Sequence, residues 1–267
     1  MTPLLPFRLG STSYVYPDDI LPNVRRLAGI VDDIELVLFE VDSASNLPNA
    51  ATVAELRRLA EPAGMTYTVH LPLDLRLADP DRAGGSLSLE KGLRVIASTR
   101  GLDPYAYIVH LDGMSELARG PAADWPRWRA DCAAALSRLA EACGHAGRLC
   151  IENLERYPIA EVVPVLDLLP VSLCLDVGHL WLAGLAAEPL LWRYRSRLRV
   201  IHLHGIGERD HQSLRLMPES LVHGFLDALR TSEYAGVVTL EVFNEDDFFG
   251  SRRLVLDWAQ RRTGHGG

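Results

Sequence analysis

Lysine is almost missing from this chain of 267 residues. Of 27 basic side chains, all but Lys91 are arginine, and 35 acidic residues outnumber them to leave a net charge of -8. A protein that grips long nucleic acid through its phosphates carries a basic face, so that class is not expected here. A small anionic ligand is still allowed, because a bound metal supplies positive potential locally. Cysteine is scarce too: Cys132, Cys143, Cys150 and Cys174 form no CxxC pair. Two of them fall in strand-like runs, as free buried thiols do, and a reducing cytoplasm is the expected setting. No run of eighteen apolar residues occurs, which excludes a membrane-spanning helix from the expectation. The opening "MTPLLPFRLG" lacks a basic segment and a long apolar segment, so no signal peptide is expected. No glycine-rich phosphate turn follows the first strand-like run, which argues against an open dinucleotide-binding sheet.

What is present is repetition. Eight short β-branched or apolar runs span the chain: "FRLGSTSY" (7–14), "DIELVLFE" (33–40), "TYTVHLP" (66–72), "YAYIVHLD" (105–112), "RLCIENL" (148–154), "VSLCLDVG" (171–178), "LRVIHLHG" (198–205) and "GVVTLEV" (236–242). Helical patterns separate them. "NAATVAELRRLAEPAG" has apolar residues three and four apart and ends on Gly64; "DWPRWRADCAAALSRLAEACG" offers Asp124 as N-cap and Gly144 past its end. With 48% hydrophobic residues and a mean hydropathy near zero, the whole chain suits one domain, 1–267. Eight strand–helix units predict a single-domain (β/α)8 barrel.

Side chains alternate along a strand, so parity assigns faces. In "VSLCLDV", Leu173, Leu175 and Val177 oppose Ser172, Cys174 and Asp176; the other runs divide in the same way. One parity is greasy enough to face helices. The other ends, in six of the eight strands, on His70, His110, Glu152, Asp176, His204 or Glu241. Barrel interiors open into active sites at this C-terminal end. His179, just beyond its strand, and His211, in the following loop, join the same mouth. Alone, each of these residues reads as a buried hydrogen-bonded histidine or a helix cap. Together, three carboxylates and several imidazoles in one funnel require a cation. The donors are oxygen and imidazole nitrogen without thiolate, which fits one to three ions of Zn²⁺ or Mn²⁺, with Co²⁺ and Fe²⁺ also suited.

These residues carry a resemblance to the xylose-isomerase-like barrels, the superfamily of type-IV apurinic endonucleases and of sugar isomerases and epimerases. "CLDVGHLWLAG" is similar to its Asp-x-x-His motif after strand six. The resemblance implies that His70 and His110 are metal histidines, Glu152 a bridging glutamate and Glu241 the strand-eight glutamate. Strand seven has two histidines in phase, His202 and His204, and His204 is favoured as nearer the mouth. "GERDHQSL" places His211 where the family has a third-metal histidine, but Arg209 stands where its aspartate belongs; Glu208 and Asp210 are the substitutes.

Within the superfamily, "STSYVYPDDILPNVRRLA", "TYTVHLPLDL" and "TLEVFNEDDF" are similar in wording to cobamide-remodelling phosphodiesterases. That resemblance implies metal-dependent hydrolysis of a phosphodiester in the nucleotide loop of a corrinoid, with Glu152, Glu241 and His179 as catalytic residues. Arg76 and Arg209 would then contact phosphate, and Tyr14, Tyr16, Trp181 and Phe243 would line a large planar ligand. The alternative is a sugar or sugar-phosphate isomerase or epimerase, with Glu152 and Glu241 as an acid/base pair across one ion bound by Glu152, Asp176, His204 and Glu241. An apurinic endonuclease and a non-catalytic binding barrel stand behind these two.

Overall fold

The computed structural model describes residues 4–41, 44–79, 81–112, 124–155, 157 and 159–263. The elements follow the predicted alternation. They run β1 (Arg8–Thr12), α1 (Ile20–Leu27), β2 (Asp33–Val37), β3 (Glu40–Val41), β4 (Ala44–Ser45), α2 (Ala50–Ala60), β5 (Thr66–His70) and α3 (Arg82–Thr99). Then come β6 (Ala106–His110), α4 (Trp125–Ala142), β7 (Leu149–Glu152), α5 (Ile159–Leu168), β8 (Ser172–Asp176), α6 (Val177–Leu182), α7 (Glu188–Tyr194), β9 (Leu198–Leu203), α8 (Glu219–Thr231), β10 (Val237–Leu240) and α9 (Glu245–Thr263). The hydrogen-bonded order β1-β10-β9-β8-β7-β6-β5-β2 closes on itself as an eight-stranded barrel. Among the described residues no helix is long and apolar enough to cross a membrane.

Two elements differ from the sequence expectation. The second run, expected to 40, ends as a barrel strand at Val37 and is followed by a two-stranded antiparallel hairpin, β3–β4. Asn46 causes the break: its amide donates to the Val37 carbonyl at 2.9 Å and accepts from Phe39 N at 2.7 Å. The helix expected over 49–64 stops at Ala60 and tightens into a 3-10 turn over Glu61–Ala63, closed by Gly64 at φ 58°. A left-handed residue there suits glycine, which has no Cβ to clash. The long helix α4 behaves as its pattern requires. Asp124 accepts from Arg127 N, and Trp128, Cys132, Ala135, Leu136 and Leu139 form its buried stripe. Truncating Leu136, which is fully buried, to alanine would cost about 2–5 kcal/mol.

The chain divides into two compact units, Met1–Glu35 with Leu59–Thr66 and Leu175–Gly267, and Leu36–Arg58 with Tyr67–Cys174. In the first, β1 pairs with β10 and β10 with β9, so that Gly10, Thr239 and His202 fall in one cross-strand row. Thr12 pairs with Glu35, one row further along. In the second, His110 pairs with Glu152 and Glu152 with Cys174, while His70 pairs with Ile108. Within each unit, rows of inward residues at the strand ends bring the titratable groups together.

Candidate metal centre

In the first unit the geometry starts at Asp176, the last residue of β8. Its Oδ1 accepts from His179 N at 2.6 Å and so caps α6. Capping does not exhaust it. The same Oδ1 lies 3.3 Å from His204 Nε2, while Oδ2 lies 3.4 Å from His179 Nδ1 and 3.9 Å from His202 Nδ1. One carboxylate, buried to zero exposure, therefore both starts a helix and faces three imidazoles.

Around it, Asp176, His179, His204 and His211 each offer a ligand atom within 4.8 Å of the others. The His204 and His211 rings stack with centroids 4.2 Å apart and 17° between planes. His211 reaches this position from a left-handed backbone, φ 53°, in a loop pinned by paired hydrogen bonds between Gly205 and Gln212. Its Nδ1 lies 3.2 Å from Asp210 Oδ1 and its Nε2 3.3 Å from Glu241 Oε2. Asp210 also stands 4.0 Å from His179 Nε2. Of the two acids weighed for the place where the family has aspartate, Asp210 is the one beside His211; Glu208 is exposed.

Strand β9 and the residue just past its end contribute two histidines. His204 faces Asp176 as described. His202 lies one row deeper, with Nδ1 3.1 Å from Glu241 Oε2 and Nε2 2.9 Å from Glu35 Oε2. Glu35, in the middle of β2, was not among the sequence candidates. The available signal was its phase, since Ile34 and Leu36 occupy the greasy parity and Glu35 the other.

Electrostatics follow from this crowding. Burial alone would push the Glu241 carboxyl up, but the neighbouring His202 and His211 imidazoles outweigh it and hold it well below the usual carboxylate range. Burial likewise opposes charge on His211, yet the adjoining Glu241 carboxylate and the charge of Asp176 push it up to about 10. Two observations show that these residues fit a divalent cation. His204 Nε2 and Glu241 Oε2 are buried and make no hydrogen bond, although each points at its neighbours. Such orphaned atoms are costly unless something of opposite character meets them. His204 Nδ1 also lies 3.1 Å from the Gly205 carbonyl. The same Nδ1 accepts from His211 N at 3.0 Å, so the ring is held along that edge while Nε2 faces Asp176 Oδ1 at 3.3 Å.

The second unit holds another cluster. His70 Nε2 and His110 Nε2 both lie 3.1 Å from Glu152 Oε2, and the two rings meet edge to face at 4.9 Å. His70 Nδ1 is 2.7 Å from the Leu71 carbonyl, so Nε2 is again the nitrogen turned toward the carboxylate. All three are oxygen or imidazole donors suited to the same class of ion.

The remaining expected residues divide. Phe243 is partly exposed with its ring 5.7 Å from His211, where it forms a wall of the first cluster. Tyr14 is partly exposed beyond β1. Tyr16 is buried, its backbone N held by Asn23 and its ring covered by the Arg26 guanidinium at 4.6 Å. Trp181 packs edge to face on Phe225 of α8. Arg76 and Arg209 are exposed.

The family model described as xylose isomerase-like TIM barrel matches residues 28–262. No curated protein sequence matches the chain. Among solved structures, a D-tagatose 3-epimerase-like protein superposes with a TM-score of 0.77 at 17% identity, covering 98% of this chain and 100% of that one. An L-ribulose 3-epimerase gives 0.73 at 18% identity, covering 97% of each. The Escherichia coli 3-keto-D-glucoside 4-epimerase gives 0.71 at 17%, covering 96% and 99%. These neighbours overturn the expectation of a phosphodiester hydrolase acting on a corrinoid. The geometry gives that expectation no help either: the two arginines meant to clasp phosphate lie exposed, where water competes for them.

Proposed function

The chain belongs to the xylose isomerase-like TIM-barrel family, and from that premise we propose that it is a divalent-metal-dependent sugar isomerase or epimerase. The observation that carries this reading is the convergence of Asp176, His202 and Glu241, three buried oxygen or nitrogen donors, with Glu241 Oε2 left without a hydrogen bond. Support also comes from the names of the fold neighbours, which are sugar epimerases.

Epimerisation beside a sugar carbonyl, and isomerisation through an enediol, begin by removing a proton from the carbon next to that carbonyl. A divalent ion held by these residues would polarise the carbonyl and an adjacent hydroxyl as a Lewis acid. Glu241 is held ionised, so its carboxylate is in the state that accepts the carbon-bound proton. Returning a proton on the opposite face requires a second acid. Phe243 offers an apolar face to the C–H side of a small sugar. The free, buried cysteines accord with a reducing cytoplasm, and the substrate is a small molecule rather than nucleic acid.

The test uses protein loaded with Mn²⁺ or Co²⁺ and incubated in D2O with D-tagatose, D-allulose, L-ribulose and ketose phosphates. Deuterium is expected at the carbon beside the carbonyl, and Glu241→Gln should abolish it by at least about a hundredfold, as for loss of a general base. Fully metal-loaded protein that exchanges no hydrogen into any ketose overturns the reading.

A further inference from the structure

His202 is flanked on both ring nitrogens. Nε2 meets Glu35 Oε2 at 2.9 Å; Nδ1 meets Glu241 Oε2 at 3.1 Å and Asp176 Oδ2 at 3.9 Å. All four side chains are buried, three of them to zero exposure. In the neutral form that a metal ligand must take, the ring can be used in two ways. A proton on Nδ1 would be donated to Glu241, tying up the carboxylate and closing the space between them. A proton on Nε2 would be donated to Glu35, leaving the Nδ1 lone pair directed at the place that Asp176 and Glu241 also face.

Glu35 biases that choice. Its Oε2 accepts one hydrogen bond from His202, and its Oε1 is buried with no hydrogen-bond partner. A buried carboxylate half without partners has no structural return that an apolar residue would not match or exceed. It does have a return as the outer member of a carboxylate–histidine–metal series, where it fixes the tautomer and makes the ring a stronger donor. We infer that Glu35 is a positioning residue that holds His202 in the Nε2–H form, so that Nδ1 serves as a ligand beside Asp176 and Glu241. The inference rests on the metal-dependent reading above, though not on the identity of the sugar.

Protein labelled with ¹⁵N-histidine and titrated with Zn²⁺ tests it at the ring itself. In the wild-type protein the zinc-shifted nitrogen of His202 is expected to be Nδ1, with the proton on Nε2. Glu35→Gln is expected to require about 10–100-fold more zinc for the same shift, with the thermal midpoint of its metal-free form no lower than wild type. A zinc-shifted Nε2, a His202 ring indifferent to zinc, or a Glu35→Gln titration equal to wild type each overturns the inference. Should Glu35→Gln fail to fold, the wild-type spectrum decides alone. Zinc results as expected beside ketoses that exchange no hydrogen would sink the isomerase reading and leave Glu35 in its role.

Discussion

The His204 imidazole lies directly against Gly178: a Cβ on that glycine would sit 2.1 Å from His204 Cε1 and 2.3 Å from Nε2. The glycine in "DVGH" is therefore a spatial requirement, not a matter of backbone freedom. Gly178→Ala must displace the ring and with it the approach to Asp176 Oδ1. The expected cost is about 1–3 kcal/mol, as for overpacking a tight interior, or about 2–4 °C in Tm per kcal/mol. Metal content by elemental analysis should fall at the same time. A variant with full metal and unchanged Tm would show that the ring accommodates the methyl group.

Asp176 combines two roles that can be separated. Asparagine keeps the oxygen that caps α6 but not the charge, whereas alanine loses both. Metal-free Asp176→Asn is expected to melt near wild type while binding metal at least tenfold more weakly. Asp176→Ala should lose metal equally and about 1 kcal/mol of stability besides. Retention of wild-type metal affinity in Asp176→Asn would remove this residue from the ligand set.

Proton release should accompany metal uptake. In the metal-free protein His211 is raised from 6.5 to about 10, so its pairing with Glu241 and Asp210 stabilises the fold fully below about pH 6.5. That contribution fades as pH climbs through about 10. An ion that takes His211 as ligand displaces its proton, so affinity should rise with pH across the same interval, by up to about tenfold per unit. Calorimetric titrations in buffers of different ionisation heat would measure the released proton. Affinity independent of pH between 7 and 9 counts against His211 as a ligand.

Burial pushes the thiols of Cys132 and Cys143 up, the latter to about 12, so little thiolate exists at neutral pH. Thiol reagents should leave both unmodified in the native protein and modify them once it unfolds. Mass spectrometry after brief alkylation checks this, and rapid native labelling of Cys132 would mean that α4 opens locally.

Much of this was legible in the sequence because strand parity is a strict period of two, and it placed His70, His110, Glu152, Asp176, His204 and Glu241 on inward faces. Parity gives direction but not depth. His202 and His204 share a face, and only the cross-strand register reveals that His202 aligns with Gly10 and Thr239 and still reaches Glu241. Glu35 was passed over for the same reason, since a mid-strand acid gains meaning only from the partner delivered by a strand far away in sequence. The aromatic residues were harder still. Trp181 and Tyr16 lie near strand ends, but near a mouth is not toward it, and helix packing claims both rings. The β3–β4 hairpin turned on one asparagine whose side chain captures the backbone that would otherwise have extended β2.

The loop between β9 and α8 is fastened at its base, Gly205 and Gln212 exchanging backbone hydrogen bonds at 2.7 and 3.1 Å. His211 sits one residue inside that clasp and His204 one residue outside it. The pair must therefore travel as a single unit with the strand. Residues 207–209 form the exposed tip beyond the clasp, so exchanges there can remodel what enters from solvent while Asp210 stays against His211. Evolution or an engineer can thus retune selectivity at this tip while the inorganic chemistry beneath it stays fixed.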